Sequence, residues 1–364
     1  MPIGHKRKAL LLASLCAAAV FGAAAQTPAK LRSPWDLHPV LPKAGSYECP
    51  ALPPLPEDIT ASSFYTDSKH SVIDPARFAA YRVAQIPYME TMKEAEKAAD
   101  AYQHTGDRAA AVCVLQILDK DAAASSMTGS MSTNQAHYVQ NWTLGALAVS
   151  WLKVRAAEPG TPEQREAAID WMKLIAGQTR DYFTMRHTKR TNDGTNNHYY
   201  WAGFAVMGAA VSSNDRALYD WALATFDDAV SRVAADGTLP LEMGRGRRAL
   251  HYHLFALGPI VMLAEFGEAN GENLYATRDH AVQHLANRAI SGLKNNSYFS
   301  DKAGVSQDTP AAYGQHSDDI IWMVPYLRRF PNADGTKMLQ STRLAPFSYL
   351  GGYPAGWDYS ALMK

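Results

Sequence analysis

Beyond a proline-rich opening, apolar residues return every three to four positions for most of the chain. Thr161-Pro162-Glu163-Gln164 supplies an N-cap, a proline at the first helical position and a capping-box Gln; Ala168, Trp171, Met172 and Ile175 then recur on one face. Ser213 or Asn214 is placed to open a further helix, whose stripe of Leu218, Ala222, Phe226, Ala229, Val230 and Val233 stops at Asp236-Gly237. Similar amphipathic stretches fall near 76–104, 107–122, 138–156, 197–211, 246–267, 276–292 and 316–330. No hairpin or βαβ signal separates them. Asp170-Trp171 and Asp220-Trp221 repeat one helical hairpin apart, as stacked helix pairs would. The pattern predicts an all-α fold, with successive helical hairpins closing around a groove.

Two segments stand outside this pattern. His5-Lys6-Arg7-Lys8, the apolar run Ala9 to Phe21 and Ala23-Ala24-Ala25 read as a signal peptide over residues 1–25, cleaved before Gln26. The apolar run is too short for a stable membrane anchor. Leu15 before Cys16 argues against a lipoprotein site. An exported, soluble protein of bacterial style is expected, in the periplasm or the medium. Residues 26–60 include Pro50-Ala51-Leu52-Pro53-Pro54-Leu55-Pro56 and predict an extended surface arm. No Ser/Gly-rich linker divides residues 26–364, so a single large domain is expected.

Export leaves Cys49 and Cys113 in an oxidising compartment, and a disulfide between them is expected to tie the arm to an early helix. No CxxC or HExxH spacing is present, and no metal or cofactor is expected. The full chain balances 35 basic against 35 acidic residues, and cleavage removes Lys6, Arg7 and Lys8. Overall charge therefore does not recruit a polyanion; attraction must come from the local run of Arg186, His187, Lys189, Arg190, Arg245, Arg247 and Arg248. No strongly basic domain or nucleic-acid motif appears, so nucleic acid is not an expected partner.

The chemistry concentrates in two runs, Thr195-Asn196-Asn197-His198-Tyr199-Tyr200-Trp201 and Arg245-Gly246-Arg247-Arg248-Ala249-Leu250-His251-Tyr252-His253. Arg245, Arg248 and Tyr252 fall at i, i+3 and i+7, one face of a helix. An Arg fork and the Asn197 amide can neutralise a carboxylate. His198 and Tyr252 can move protons at the carbon beside it, either one acting as the base. Trp201 offers a flat face to a sugar ring. Glu242 is a candidate carboxylate catalyst without a clear second acid, which weakens a glycoside hydrolase reading. Trp142, Trp171, Trp221 and Trp322 sit at helical spacing and are assigned to packing.

These residues resemble polysaccharide lyase family 5, the alginate (mannuronate) lyases. The resemblance rests on Asn196-Asn197-His198-x-Tyr200-Trp201 and Arg245-x-x-Arg248-Ala249-Leu250-x-Tyr252-His253. Ser68-Lys69, Asp74-x-Ala76-Arg77, Trp142-x-Leu144-Gly145, Trp322-x-x-Pro325-Tyr326 and Leu350-Gly351-Gly352 extend it in order along the mature chain. It implies an incomplete α/α toroid around a deep cleft, with a lid loop at about 60–75. It also implies a metal-independent, periplasmic enzyme acting on an anionic polysaccharide; a monomer is expected. Asn197, His198, Arg245 and Tyr252 are implied as catalytic, and Ser68, Lys69, Asn134 and Gln135 as substrate contacts; Trp201 and Arg248 are taken as further substrate contacts from their place in the two runs. The family commonly has an aromatic where this chain has His70, and His-Thr where it has Asn134-Gln135. A polyuronate lyase is thus set against a hydrolase on a similar toroid and a non-catalytic polysaccharide-binding protein.

Overall fold

The computed structural model describes residues 29–308 and 319–353, besides Met1. The chain divides into a short unit, Met1–Lys30, and a body, Leu31–Lys364. The expected signal peptide lies outside the described residues, as do positions 316–318 of the last expected helical stretch.

The body is built from helical hairpins. α1 (Pro75–Thr105), α3 (Asn134–Val154), α5 (Asn197–Ser213) and α8 (Ala249–Ala269) pack in sequence as an inner row. α2 (Arg108–Ala123), α4 (Pro162–Thr188), α6 (Arg216–Ser231) and α9 (Thr277–Lys294) form the outer row, each beside its inner partner. The short α7 (Pro240–Met243) precedes α8; α10 (Ser297–Ala303), α11 (Met323–Arg329) and α12 (Ala333–Ser341) close the chain. This is the predicted α/α toroid. Inner α3, α5 and α8 are apolar nearly all round because neighbours cover them on every side. The apolar window within Gly246–Ala269 is long enough to cross a membrane, but 89% of it is buried inside this fold.

Local signals act largely as the sequence suggests, with shifts at helix ends. The capping box of Thr161 and Gln164 forms. Neither Ser213 nor Asn214 opens α6: Asn214 ends α5 in a left-handed conformation, and Asp215 caps α6 through Leu218 N. A 3-10 turn, Gly246–Arg248, precedes α8, so Arg245 lies outside the helix in which the spacing placed it. The turn nonetheless leaves Arg245, Arg248 and Tyr252 on one side. At the C-terminal end, the buried Lys153 ammonium donates to Asp100 (2.5 Å) and to the carbonyls of Gly351 and Tyr353 (2.6 Å each). Gly351 (φ 74°) packs where an added Cβ would lie 2.6 Å from Val149, so the turn there requires glycine. That anchorage places Tyr349 against Trp142, with centroids 4.8 Å apart.

Cys49 of the arm is bonded to Cys113, a fully buried residue of α2. Leu55 N donates to Asp121 Oδ1 (2.8 Å), and Ile59 pairs with Met131, so the arm is fastened at several points. The bridge closes a loop of 64 residues, which by chain entropy corresponds to about 4 kcal/mol. Cys49→Ser with Cys113→Ala is expected to lower the melting temperature by on the order of 5 °C. Calorimetry checks this, and an unchanged melting temperature would show that the arm holds without the bridge.

Candidate active site

The N-terminal turns of α3, α5 and α8 meet one face of α1 around a cavity of about 930 Å³. Helix N-termini carry partial positive charge, so this end of the inner row favours an anionic ligand. A second cavity of about 450 Å³ adjoins it, and His70, Asn134, Tyr138, His198 and Arg245 line both.

His198 stands in the first turn of α5. Asn196, the helix cap, accepts its backbone N–H (3.0 Å), and the Tyr138 ring stacks on the imidazole with centroids 3.8 Å apart. Tyr138 is held in turn: its hydroxyl donates to Asp193 (2.9 Å), which also takes the Arg186 guanidinium in a two-armed bond. Burial and the Arg245 charge pull the His198 pKa down to about 3. The imidazole is therefore neutral at ordinary pH, and its Nδ1 has no partner among the described residues.

Arg245 lies face-on against Tyr252, with its guanidinium carbon 3.3 Å from the ring centroid. It is 7% exposed, and its buried Nε lacks a partner among the described residues. Burial pushes the Tyr252 phenol well above its ordinary value; Arg245 and Arg248 oppose this, and Tyr65 reinforces it. Two neighbouring arginines thus do not bring the phenol below its ordinary value. The reason is geometric: the Arg245 charge sits over the ring, where cation–π attraction operates, while the hydroxyl is desolvated against Tyr65.

The segment 60–74, where a lid is expected, is folded by an antiparallel bridge between Tyr65 and Ile73. Asp67 gathers the backbone N–H groups of Ser71 and Val72 (2.8 Å each), and His70 takes a left-handed φ of 52°. Tyr65 is the point of contact: its hydroxyl lies 2.5 Å from that of Tyr252 and accepts from Arg248 Nη1 at 2.5 Å. Arg245 Nη2 donates to the His70 carbonyl (3.0 Å). The lid is closed on the phenol and both arginines.

Most of the residues singled out by sequence do converge. His198, Arg245, Arg248 and Tyr252 line the larger cavity together with Asn134 and Gln135, while Ser68 and Lys69 line the smaller one. Asn134 Oδ1 accepts from Tyr182 (2.8 Å), and Gln135 Nε2 donates to Tyr81 (3.1 Å), so both amides are oriented in advance. Three expectations need correction. Trp201 is fully buried among Phe204, Phe255, Phe347 and Tyr349, so it packs the core and cannot receive a sugar; Trp142, assigned to packing, lines the cavity instead. Asn197 is also fully buried and lines neither cavity: its backbone N (2.8 Å) and Nδ2 (2.9 Å) both donate to Glu242 Oε1. Glu242 is likewise behind the wall, which removes the acid a hydrolase reading relied on.

The basic run is thinner than its sequence suggests, because Asp193 neutralises Arg186 and Asp308 neutralises Arg247. Tyr65, Tyr138 and Asp193 are the residues that sequence reasoning missed. Tyr138 follows Asn134 by one helical turn, a spacing that places both on one face, but Tyr65 meets Tyr252 and Arg248, and Asp193 meets Tyr138, across long sequence separations that leave no local signal.

The family model for alginate lyase matches residues 58–299. A polysaccharide lyase of Stenotrophomonas maltophilia (strain K279a) is 36% identical over 287 residues, covering 78% of this chain and 82% of its own. Alginate lyase A1-III from Sphingomonas species A1 superposes with a TM-score of 0.70 at 26% identity, covering 86% of this chain and 87% of its own. A variant of alginate lyase A1-III complexed with tetrasaccharide gives a TM-score of 0.74 at 25% identity over 86% of each chain. With the toroid and its cavity in place, the chain belongs to the alginate lyase family, as a polysaccharide lyase.

Proposed function

We propose that the protein cleaves the 4-linked uronates of alginate by β-elimination, leaving a 4,5-unsaturated sugar at the new non-reducing end. The carrying observation is Arg245: a buried cation with an unpartnered Nε, in one cavity wall with a neutral imidazole and a protonated phenol. The C5 proton is acidic only if the adjoining carboxylate can accept charge, and Arg245 neutralises that carboxylate as the carbanion forms. Tyr252 delivers the proton that the departing O4 requires.

The substrate's stereochemistry assigns the base. In β-D-mannuronate the C5 proton and O4 lie on one ring face, so the group that serves O4 also faces C5. Tyr252 then acts as phenolate toward C5 and returns the proton to O4. In α-L-guluronate the two lie on opposite faces, and His198, neutral above about pH 3, takes the C5 proton. Because the Tyr252 pKa is raised, its ionised fraction grows toward high pH. Activity on polymannuronate is therefore expected to climb through the alkaline range, while any activity on polyguluronate varies less.

The enzyme acts in the periplasm as a monomeric, exported catalytic domain. The basic and apolar N-terminus supports that reading, as does a disulfide suited to an oxidising compartment. His70, Asn134 and Gln135 are compact polar groups facing the cavity, which suits more than one polyuronate. Absorbance of the new double bond on polymannuronate, polyguluronate, polyglucuronate and hyaluronan tests the whole reading. Release of double bonds from more than one polymer is expected, with a preference that shifts in His70→Tyr. Strict mannuronan specificity unchanged in that variant would overturn the assignment of choice to His70, and no absorbance on any of them would overturn the lyase reading.

A further inference from the structure

A histidine that moves protons is ordinarily aimed by a hydrogen bond to its second ring nitrogen, which also decides which nitrogen carries the proton. Nδ1 of His198 is buried with no partner among the described residues. An aromatic face meets the imidazole instead: the Tyr138 ring lies 3.8 Å away between centroids and 15° from parallel. Trp142 stands at 6.0 Å and is tilted by 35°, too distant and oblique to share that task.

Stacking sets the plane of a ring but lets the two faces slide, because the attraction is spread over both. The slide is stopped at the far end of Tyr138. Its hydroxyl donates to Asp193 Oδ2 (2.9 Å), and Asp193 is itself clamped. Arg186 donates to its Oδ1 through Nη2 (2.5 Å) and Nε (2.9 Å), and Thr191 Oγ1 adds a further donor (2.7 Å). The turn that carries Asp193 lies hard against the end of α4. A Cβ added at Gly194 would sit 2.4 Å from the Arg186 carbonyl carbon, and the Gly194 carbonyl meets His187 Nδ1 at 2.9 Å. One buried carboxylate thus joins Tyr138 of α3, Arg186 of α4 and the turn leading into His198 of α5. All four residues line the smaller cavity. An acidic group there would by itself repel an anionic ligand, and the two-armed bond to Arg186 cancels that effect.

Resting on the lyase reading, we infer that Asp193 is a positioning residue that acts on His198 through Tyr138. It pins the stacked ring and so fixes the imidazole plane relative to the uronate in the cavity. A stack decides the plane without deciding which nitrogen bears the proton, so the ring stays able to accept one from C5.

Tyr138→Phe keeps the stacked ring and the Asp193–Arg186 pair and cuts only the tie between them. Its expected properties are a melting temperature and a KM for polymannuronate close to those of the parent, and a kcat lower by about tenfold. The ring signal of His198 should also move in the NMR spectrum of protein carrying isotope-labelled histidine, where its loss in His198→Ala identifies it. Added to His198→Ala, Tyr138→Phe should cost no further turnover, because the group it positions is gone. The parent kcat in a folded Tyr138→Phe, with or without a raised KM, overturns the inference. So does the same loss of kcat in the His198→Ala background, which a merely structural role would produce. If the Phe variant does not fold, Asp193→Asn, which loosens the clamp from the other side, carries the same comparisons. Absence of turnover in the parent protein would overturn the lyase reading instead, and the His198 signal would still judge the positioning.

Discussion

Tyr252→Phe is expected to lower turnover on polymannuronate by about 10³-fold while leaving the fold intact. The substitution deletes one oxygen, and its bond to Tyr65, from a ring that stays packed under Arg245. Stability changes little, because the lost hydrogen bond is the one to Tyr65, a residue still bonded to Arg248. Chemistry suffers far more, since on mannuronate the same hydroxyl must both take the C5 proton and supply O4. His198→Ala provides the contrast. It removes an imidazole stacked on Tyr138, and turnover is expected to fall by about 10²-fold on mannuronate. Its effect on guluronate should be larger, because there the imidazole is the base itself. Stopped assays on the two homopolymers, with circular dichroism for the fold, decide the matter. Near-parent turnover in Tyr252→Phe would remove the phenol from the mechanism. An equal loss on both polymers in His198→Ala would show that the epimer does not select the base.

Helical periodicity and the chain order of the two motifs make the architecture and much of the site legible in the sequence itself. Burial hides the remainder. Sequence places Asn197 beside His198 but does not say which of two consecutive residues in the first turn of a helix faces inward. In the structure that turn directs His198 to the cavity and Asn197 to Glu242. Trp142 and Trp201 likewise exchange expected roles, because both lie in apolar helices whose periodicity is nearly erased by contact on every side. The raised Tyr252 phenol follows from desolvation under a lid residue distant in sequence, a quantity that no count of neighbouring arginines contains. Cys49 and Cys113 are legible for the opposite reason: export and an even thiol count constrain the answer without geometry.

Arg245→Lys separates charge from shape at the carboxylate. The guanidinium performs three tasks at once: it backs the Tyr252 ring, donates to the His70 carbonyl of the lid, and keeps Nε buried and unpartnered beside the cavity. Lysine preserves the positive charge but presents a point donor on a flexible stem and cannot make a fork. It can hold the lid carbonyl or meet the substrate carboxylate, not both in a fixed orientation. Oxyanion-type donors removed from other active sites cost about 10²–10³ in turnover, and a loss of about 10² is expected here despite the retained charge. KM should rise as well, since the lid loses a tie to the segment leading into α8. Arg248→Lys, whose fork bonds Tyr65 alone among the described residues, should lose much less. Steady-state kinetics on polymannuronate supply the comparison. A parent kcat in Arg245→Lys would show that bare charge suffices at this carboxylate, and the geometry of Arg245 would then matter only for closing the lid.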